Sequence, residues 1–216
     1  MCGIFGATDK ERFKSLYNLN KQRGNFSFGC CFLTQDRRSQ YCESAPGEVN
    51  LDDLMSDNYY YLLGHTQAPT SSARGYDRAT SHPFVDGDWV VAHNGVLSNF
   101  EILKQKYVPE HANPVDSSII PVLLSYMQED DEVQTIKNVL EAIEGTYSLW
   151  LFNHVSKNIY VVRCGSTLYG DIIKCEFSSY PDIGLSELDD NALYLVTQEG
   201  LTKVSGFDGN SPFFII

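Results

Sequence analysis

Cys2-Gly3-Ile4-Phe5-Gly6, directly behind Met1, is the stretch on which the reading of this chain turns. Gly3 is small, so the Met1–Cys2 peptide bond can be trimmed to leave Cys2 as the first residue. A terminal Cys carries both a thiol and an α-amine, and that amine titrates near neutral pH. It can therefore take the proton from its own side chain, as the amine does for N-terminal Thr nucleophiles. The competing reading is structural. Cys2 to Ala7 is apolar enough for a buried first strand, and Cys2 would then be one small residue within it.

The rest of the composition narrows the choice. A chain of 216 residues with 43% hydrophobic content can build one full-sized core. Its formal charge of −12 argues against free nucleic acid as a partner, because phosphate binding needs a surplus of Lys and Arg. A small neutral or zwitterionic ligand is compatible with that charge. Six cysteines occur, with no CxxC pair among them, which argues against a zinc ribbon or a thioredoxin-type site. No metal-ligand cluster is visible and no cofactor is implied. No signal-peptide pattern opens the chain, and no apolar run reaches the roughly 18 residues of a membrane helix. The expectation is a cytoplasmic protein with reduced thiols and no membrane partner. Cys30 and Cys31 sit in an apolar strand pattern and read as core.

Hydrophobic periodicity places the elements. Strands are expected at 2–7, 27–34, 39–43, 59–66, 89–93, 146–153, 158–163 and 192–197. Phe13, Leu16, Tyr17 and Asn20 lie at helical spacing within 11–22. Ser98-Asn99-Phe100-Glu101 reads as a capping box opening a helix to about Tyr107. Further helices are expected at 115–128 and 131–143, the latter with Val133, Ile136, Leu140 and Ile143 as its buried stripe. Residues 69–83 read as a surface loop, Asn94-Gly95 as a turn closing the strand before it, and 211–216 as a last core strand, with a docking tail as the alternative. Strand hairpins on either side of a helical block suggest two mostly antiparallel sheets with helices outside them.

Four segments carry chemistry when taken together: Cys2-Gly3-Ile4-Phe5-Gly6, then Gly64-His65-Thr66-Gln67-Ala68-Pro69-Thr70, then His93-Asn94-Gly95 followed by Asn99, then Asp116 in Pro114-Val115-Asp116-Ser117-Ser118. In this order they resemble the class II glutamine amidotransferase domain of the N-terminal-nucleophile hydrolases. Arg23-Gly24 with Ser27 and Gly29, and the segment from Arg163 to Gly170, extend the resemblance through most of the chain. It implies an α+β fold, a four-layer αββα sandwich, with residues 1–216 forming a single domain. It also implies hydrolysis of the glutamine side-chain amide.

In that reading Cys2 is the nucleophile, and the Asn94 amide and the Gly95 backbone N–H form the oxyanion hole. Such a donor is worth roughly 2.7–4 kcal/mol in the transition state. Asp116 receives the substrate α-amino group, and Thr70 lines the same pocket. Each residue has a plainer alternative: a hairpin turn for Asn94-Gly95, a helix N-cap for Asp116, an ordinary loop hydroxyl for Thr70. His65 and His93 are expected to be structural, because the α-amine already fills the role of base.

The match breaks at Gln67, where the family usually has an Arg that grips the substrate α-carboxylate. Losing a charge-assisted contact would cost on the order of 1.5–3 kcal/mol. Either Arg74 or Arg78 in the following loop supplies the charge, or the substrate is another γ-glutamyl amide. Phe26 also stands where an acid is common. The resemblance implies glutamine or a related γ-glutamyl amide as substrate, and a separate ammonia-using synthase subunit as partner. A non-catalytic binding module with the same fold is the alternative if Met1 is retained.

Overall fold

A computed structural model describes residues 2–35, 40–55, 58–68 and 75–210. The first part of the chain runs β1 (Gly3–Ala7), α1 (Lys10–Asn20), β2 (Ser27–Thr34), β3 (Gln40–Pro46), the single turn α2 (Leu51–Leu54) and β4 (Tyr59–Gln67). The middle holds β5 (Phe84–Asp86), β6 (Trp89–Leu97), α3 (Phe100–Tyr107), α4 (Ile119–Tyr126) and α5 (Glu132–Ala142). The last part runs β7 (Gly145–Asn153), β8 (Ile159–Cys164), β9 (Tyr169–Asp171), β10 (Glu176–Ser178), β11 (Ser186–Glu187), β12 (Ala192–Thr197) and β13 (Gly200–Gly206).

The strands form two antiparallel sheets. One has the order β11-β9-β10-β1-β4-β2-β3, the other β13-β12-β8-β7-β6-β5. Side chains alternate across each strand, and both faces of both sheets are buried, which produces four layers. Ile4, Cys31, Tyr61 and Leu63 of the first sheet meet Val90, Ala92, Trp150, Phe152 and Val161 of the second. Their sequence neighbours point outward. Phe5, Cys30, Phe32 and Leu62 pack beneath Phe13, Leu16 and Tyr17 of α1. Trp89, Val91, Leu149 and Leu151 pack beneath Ile120, Leu123, Ile136 and Leu140 of α4 and α5. Each such large apolar side chain contributes roughly 1.5–3 kcal/mol by burial. The expected αββα sandwich is present. The Trp150 indole N–H donates to the Gly64 carbonyl across the gap, 3.0 Å away, so a polar contact also ties the two sheets together.

Several local expectations need correction. The strand from Trp89 does not stop at Asn94-Gly95: it continues to Leu97, paired with β7 throughout, Asn94 opposite Ser148 and Gly95 opposite Tyr147. The capping box is not built. Asn99 is the N-cap of α3 and makes no capping bond. Its side chain instead donates to the Ala142 carbonyl and accepts from the Glu144 N–H, tying α3 to the chain after α5. The helix expected from Val115 begins as a short 3-10 turn, Asp116–Ser118, before α4. The strand β13 was not foreseen. Cys31 and Cys42 are directly opposed across β2 and β3, a pairing not anticipated from the sequence. The expected C-terminal strand at 211–216 lies outside the described residues.

Among the described residues no helix is long and apolar enough to cross a membrane. None of their His, Cys, Asp and Glu side chains form a group of three or more that could hold a metal ion.

Candidate active site

Strand alternation decides what faces what at one mouth of the sandwich. Ile4 is an inner-face residue, so Cys2, two positions earlier, has the same parity. Val90 and Ala92 are inner-face residues, so Asn94 ends the same row. Tyr61 and Leu63 lead along β4 to His65 and Gln67. The pairing of Gly3 with Thr66, carried one step further, sets Cys2 beside Gln67. The fold thus gathers Cys2, Gln67 and Asn94 where the apolar rows of both sheets run out.

Cys2 is half-buried. Burial pushes its thiol pKa above the usual value; Asp116 adds to this, while the Ala68 backbone N–H and Arg23 work against it. Ala68 can approach because Gly24 lacks a side chain: a Cβ there would strike the Gln67–Ala68 backbone. Arg23 Nε donates to the Cys2 carbonyl at 2.8 Å, and Arg23 Nη1 donates to the Ser179 carbonyl at 2.8 Å. The Arg-Gly pair therefore has two separate tasks. The Arg anchors the Cys2 peptide, and the Gly lets an N–H reach the Cys2 sulfur.

Asn94 is 3% exposed. Its Nδ2 donates toward three hydroxyl oxygens: Ser148 at 3.2 Å, Ser179 at 3.2 Å and Ser166 at 3.5 Å. Nδ2 carries two protons, so one of the three acceptors can be replaced. Gly95 has φ +153, and a Cβ on it would strike the Thr146 carbonyl oxygen and lie 2.8 Å from His93 Nε2. The need for Gly here comes from the close pairing of β6 and β7, not from a turn.

Asp116 is not a simple N-cap. One carboxylate oxygen accepts from the Leu97 N–H on β6 and the other from the Ser117 N–H, each at 2.8 Å. It is half-buried and borders a cleft of about 780 Å³ whose lining includes Val96, Ser98, Phe100, Val115, Asp77 and Glu101. With Asp116 that makes three carboxylates and, among the described lining residues, no Lys or Arg.

His65 and His93 lie inside the sandwich. His65 Nε2–H donates to the His93 carbonyl at 3.1 Å, joining β4 to β6, and His93 Nδ1 is 2.7 Å from Ser117 Oγ. Burial lowers the pKa of both rings, that of His65 to about 3. Neutral, enclosed rings of this kind position strands; they do not shuttle protons at neutral pH.

Gln67 is buried, and its Oε1 accepts from Ser27 Oγ at 2.7 Å, within the cross-strand pair Ser27–Gln67. Arg78 is exposed, donates to the Pro83 carbonyl and lies 3.9 Å from Glu43. Thr70 and Arg74 lie outside the described residues. Sequence reasoning missed Ser148, Ser166 and Ser179. Only register carries that information: Ser148 is the cross-strand partner of Asn94.

No protein-family model matches the chain. Glutamine–fructose-6-phosphate aminotransferase of Streptococcus agalactiae is 27% identical over 97% of this chain and 38% of its own length. The 7-cyano-7-deazaguanine synthase of Saccharolobus solfataricus is 27% identical over 64% of this chain and 31% of its own length. The chain therefore spans about a third of the length of the curated relatives it matches. Among solved structures, the glutamine phosphoribosylpyrophosphate amidotransferase of B. subtilis superimposes with a TM-score of 0.76 at 17% identity, over 97% of this chain and 50% of that one. A glutamine aminotransferase class-II domain protein from Silicibacter pomeroyi superimposes with a TM-score of 0.60 at 14% identity, over 96% of this chain and all of that one. These structures share the fold, and the Streptococcus agalactiae relative matches nearly the whole chain.

Proposed function

We propose that this chain hydrolyses the side-chain amide of glutamine with Cys2 as nucleophile and delivers the ammonia to a synthase partner. The observation that carries the reading is the convergence of Cys2 and Asn94 from opposite sheets on one mouth of the sandwich. The relatives of similar sequence include a glutamine-using aminotransferase, which supports the choice of substrate.

The chemistry follows from the groups present. With Met1 removed, the Cys2 α-amine takes the thiol proton and the thiolate attacks the amide carbon. Burial keeps the resting thiol neutral, so the proton leaves as substrate arrives. The tetrahedral oxyanion is met by Asn94 Nδ2 and the Gly95 N–H. Ser166, the longest of the three contacts to Nδ2, is the one displaced. The C–N bond then breaks, and the protonated amine gives its proton to the departing ammonia. Water hydrolyses the thioester, releasing glutamate and restoring the thiol. Asp116 holds the substrate α-ammonium, and Ala68 and Arg23 hold the nucleophile in place.

A second reading has its own support. Gln67 brings no charge and is engaged with Ser27. Such a site suits an amide whose α-carboxylate is masked or absent, such as a γ-glutamyl peptide. Steady-state glutamate release from glutamine and from γ-glutamyl peptides, with wild type and Cys2→Ala, tests both. Turnover of glutamine that Cys2→Ala abolishes supports the first reading. A kcat/KM preference for the peptides favours the second, and release that survives Cys2→Ala refutes both.

A further inference from the structure

Resting on the amide-hydrolysing reading of Cys2 and Asn94, we propose that Ser179 is the positioning residue that couples the nucleophile's strand to the oxyanion amide. Ser179 follows β10 directly and is fully buried. Phe177 faces the inter-sheet core, so Ser179 has inner-face parity and points toward the same mouth as Cys2 and Asn94.

Every polar atom of Ser179 is bound to the site. Its N–H donates to the Ile4 carbonyl at 2.8 Å. Its hydroxyl oxygen accepts from the Ile4 N–H at 3.1 Å and from Asn94 Nδ2 at 3.2 Å. Its carbonyl accepts from Arg23 Nη1 at 2.8 Å and from Thr167 Oγ1 at 3.1 Å. Arg23 in turn donates through Nε to the Cys2 carbonyl at 2.8 Å. A closed circuit therefore runs from Cys2 through Arg23 to Ser179, and back along Ile4 to Cys2. The Oγ–Nδ2 contact attaches Asn94 to that circuit. Nucleophile and oxyanion donor come from different sheets, and this one hydroxyl bonds to both strands.

The hydroxyl can be removed by itself. Ser179→Ala keeps the backbone contacts to Ile4, Arg23 and Thr167 and deletes only the shared acceptor. Ser178 supplies the comparison. It is equally buried, but its Oγ accepts from Asn20 Nδ2 at 2.8 Å and from the Tyr180 N–H at 3.0 Å, with no bond to Asn94.

The test is steady-state hydrolysis of glutamine and of a γ-glutamyl peptide by wild type, Ser179→Ala and Ser178→Ala, with thermal unfolding of each. For the better substrate, kcat is expected to fall about tenfold or more in Ser179→Ala while KM stays within about twofold, since the loss falls on transition-state alignment. Ser178→Ala should keep kcat within about twofold whatever its stability. If Ser179→Ala does not fold, Ser179→Cys, which keeps the shape but weakens the acceptor, should show a smaller fall in kcat with the same unchanged KM. Equal losses in the two alanine variants, a change confined to KM, or an unchanged kcat beside an active wild type would each overturn the positioning role alone. A wild type inert toward every amide would overturn it together with the reading beneath it.

Discussion

Gly95→Ala puts β6 under a load that can be worked out atom by atom. The new Cβ would strike the Thr146 carbonyl oxygen and lie 2.8 Å from His93 Nε2, at a residue with φ +153. The Thr146 carbonyl belongs to the neighbouring strand, so no flexible side chain can move aside. Backbone strain at such an angle costs roughly 1–3 kcal/mol. Overpacking of a closed site adds roughly 1–3 kcal/mol. Together these come to about 2–6 kcal/mol, a fall in Tm of about 4–24 °C for a domain of this size. Relief requires β6 to separate from β7, which displaces both Asn94 and the Gly95 N–H. A shift near 1 Å can cost about 100-fold in rate. Gly47→Ala is the control: its φ is +67, but nothing lies within 4 Å of a Cβ there. It should cost only about 1–2 kcal/mol for the left-handed backbone and leave the rate alone. Calorimetric Tm and kcat of the two variants decide the matter. A Gly95→Ala protein no less stable than Gly47→Ala, with wild-type kcat, would refute the claim that close pairing of β6 and β7 requires glycine.

Other perturbations test other joints of the structure. Burial lowers His65 from 6.5 to about 3, so below pH 6.5 the unfolded chain takes up a proton that the folded chain refuses. The ring's contribution is intact above that pH and is lost as pH falls toward 3, by about 1.4 kcal/mol per unit. Urea unfolding between pH 7 and 4 should therefore show a shallower decline in His65→Gln than in wild type, and parallel curves would contradict the buried neutral ring. Asp116→Asn should raise KM for glutamine roughly 10- to 100-fold, the worth of a charged hydrogen bond, and should remove discrimination against an analogue lacking the α-amine. If discrimination persists in the variant, Asp116 is not the ammonium site. Trp150→Phe deletes the indole bond to Gly64 and leaves a buried carbonyl without that donor, so the urea midpoint should drop by the equivalent of about 1–3 kcal/mol with the m-value unchanged. An unmoved midpoint would mean that the bond carries no net stability.

The layers of this fold were legible because alternation in the strands and helical spacing in α1 and α5 both survive in the sequence. Phe13, Leu16 and Tyr17 had to face one sheet, and Ile136 and Leu140 the other. What escaped was whatever depends on two distant segments at once. Asn94-Gly95 has the composition of a turn, yet nine consecutive pairings with β7 hold it in a strand. The carboxylate of Asp116 was open to reading as a cap, because its bond to the Leu97 N–H joins residues 19 apart in sequence. Ser98 and Glu101 have capping-box spacing, but the chain after α5 claims Asn99 and moves the helix start. The paired cysteines are recognisable only once β2 and β3 are in register. Ser179 carries no sequence signal at all, since a serine beside a serine predicts nothing until parity assigns them to opposite faces. The motif residues Cys2, Gln67, Asn94 and Asp116 could be named from resemblance, but only the register of the two sheets explains why they meet.

Cys2 acts as a nucleophile on a glutamine-like amide only if removal of Met1 frees its α-amine. Intact-protein mass spectrometry before and after treatment with a glutamine-mimicking electrophile tests it most directly. The expected result is a mass lacking Met1 and one covalent adduct that is absent in Cys2→Ala. A mass that retains Met1, with no adduct formed, would contradict it.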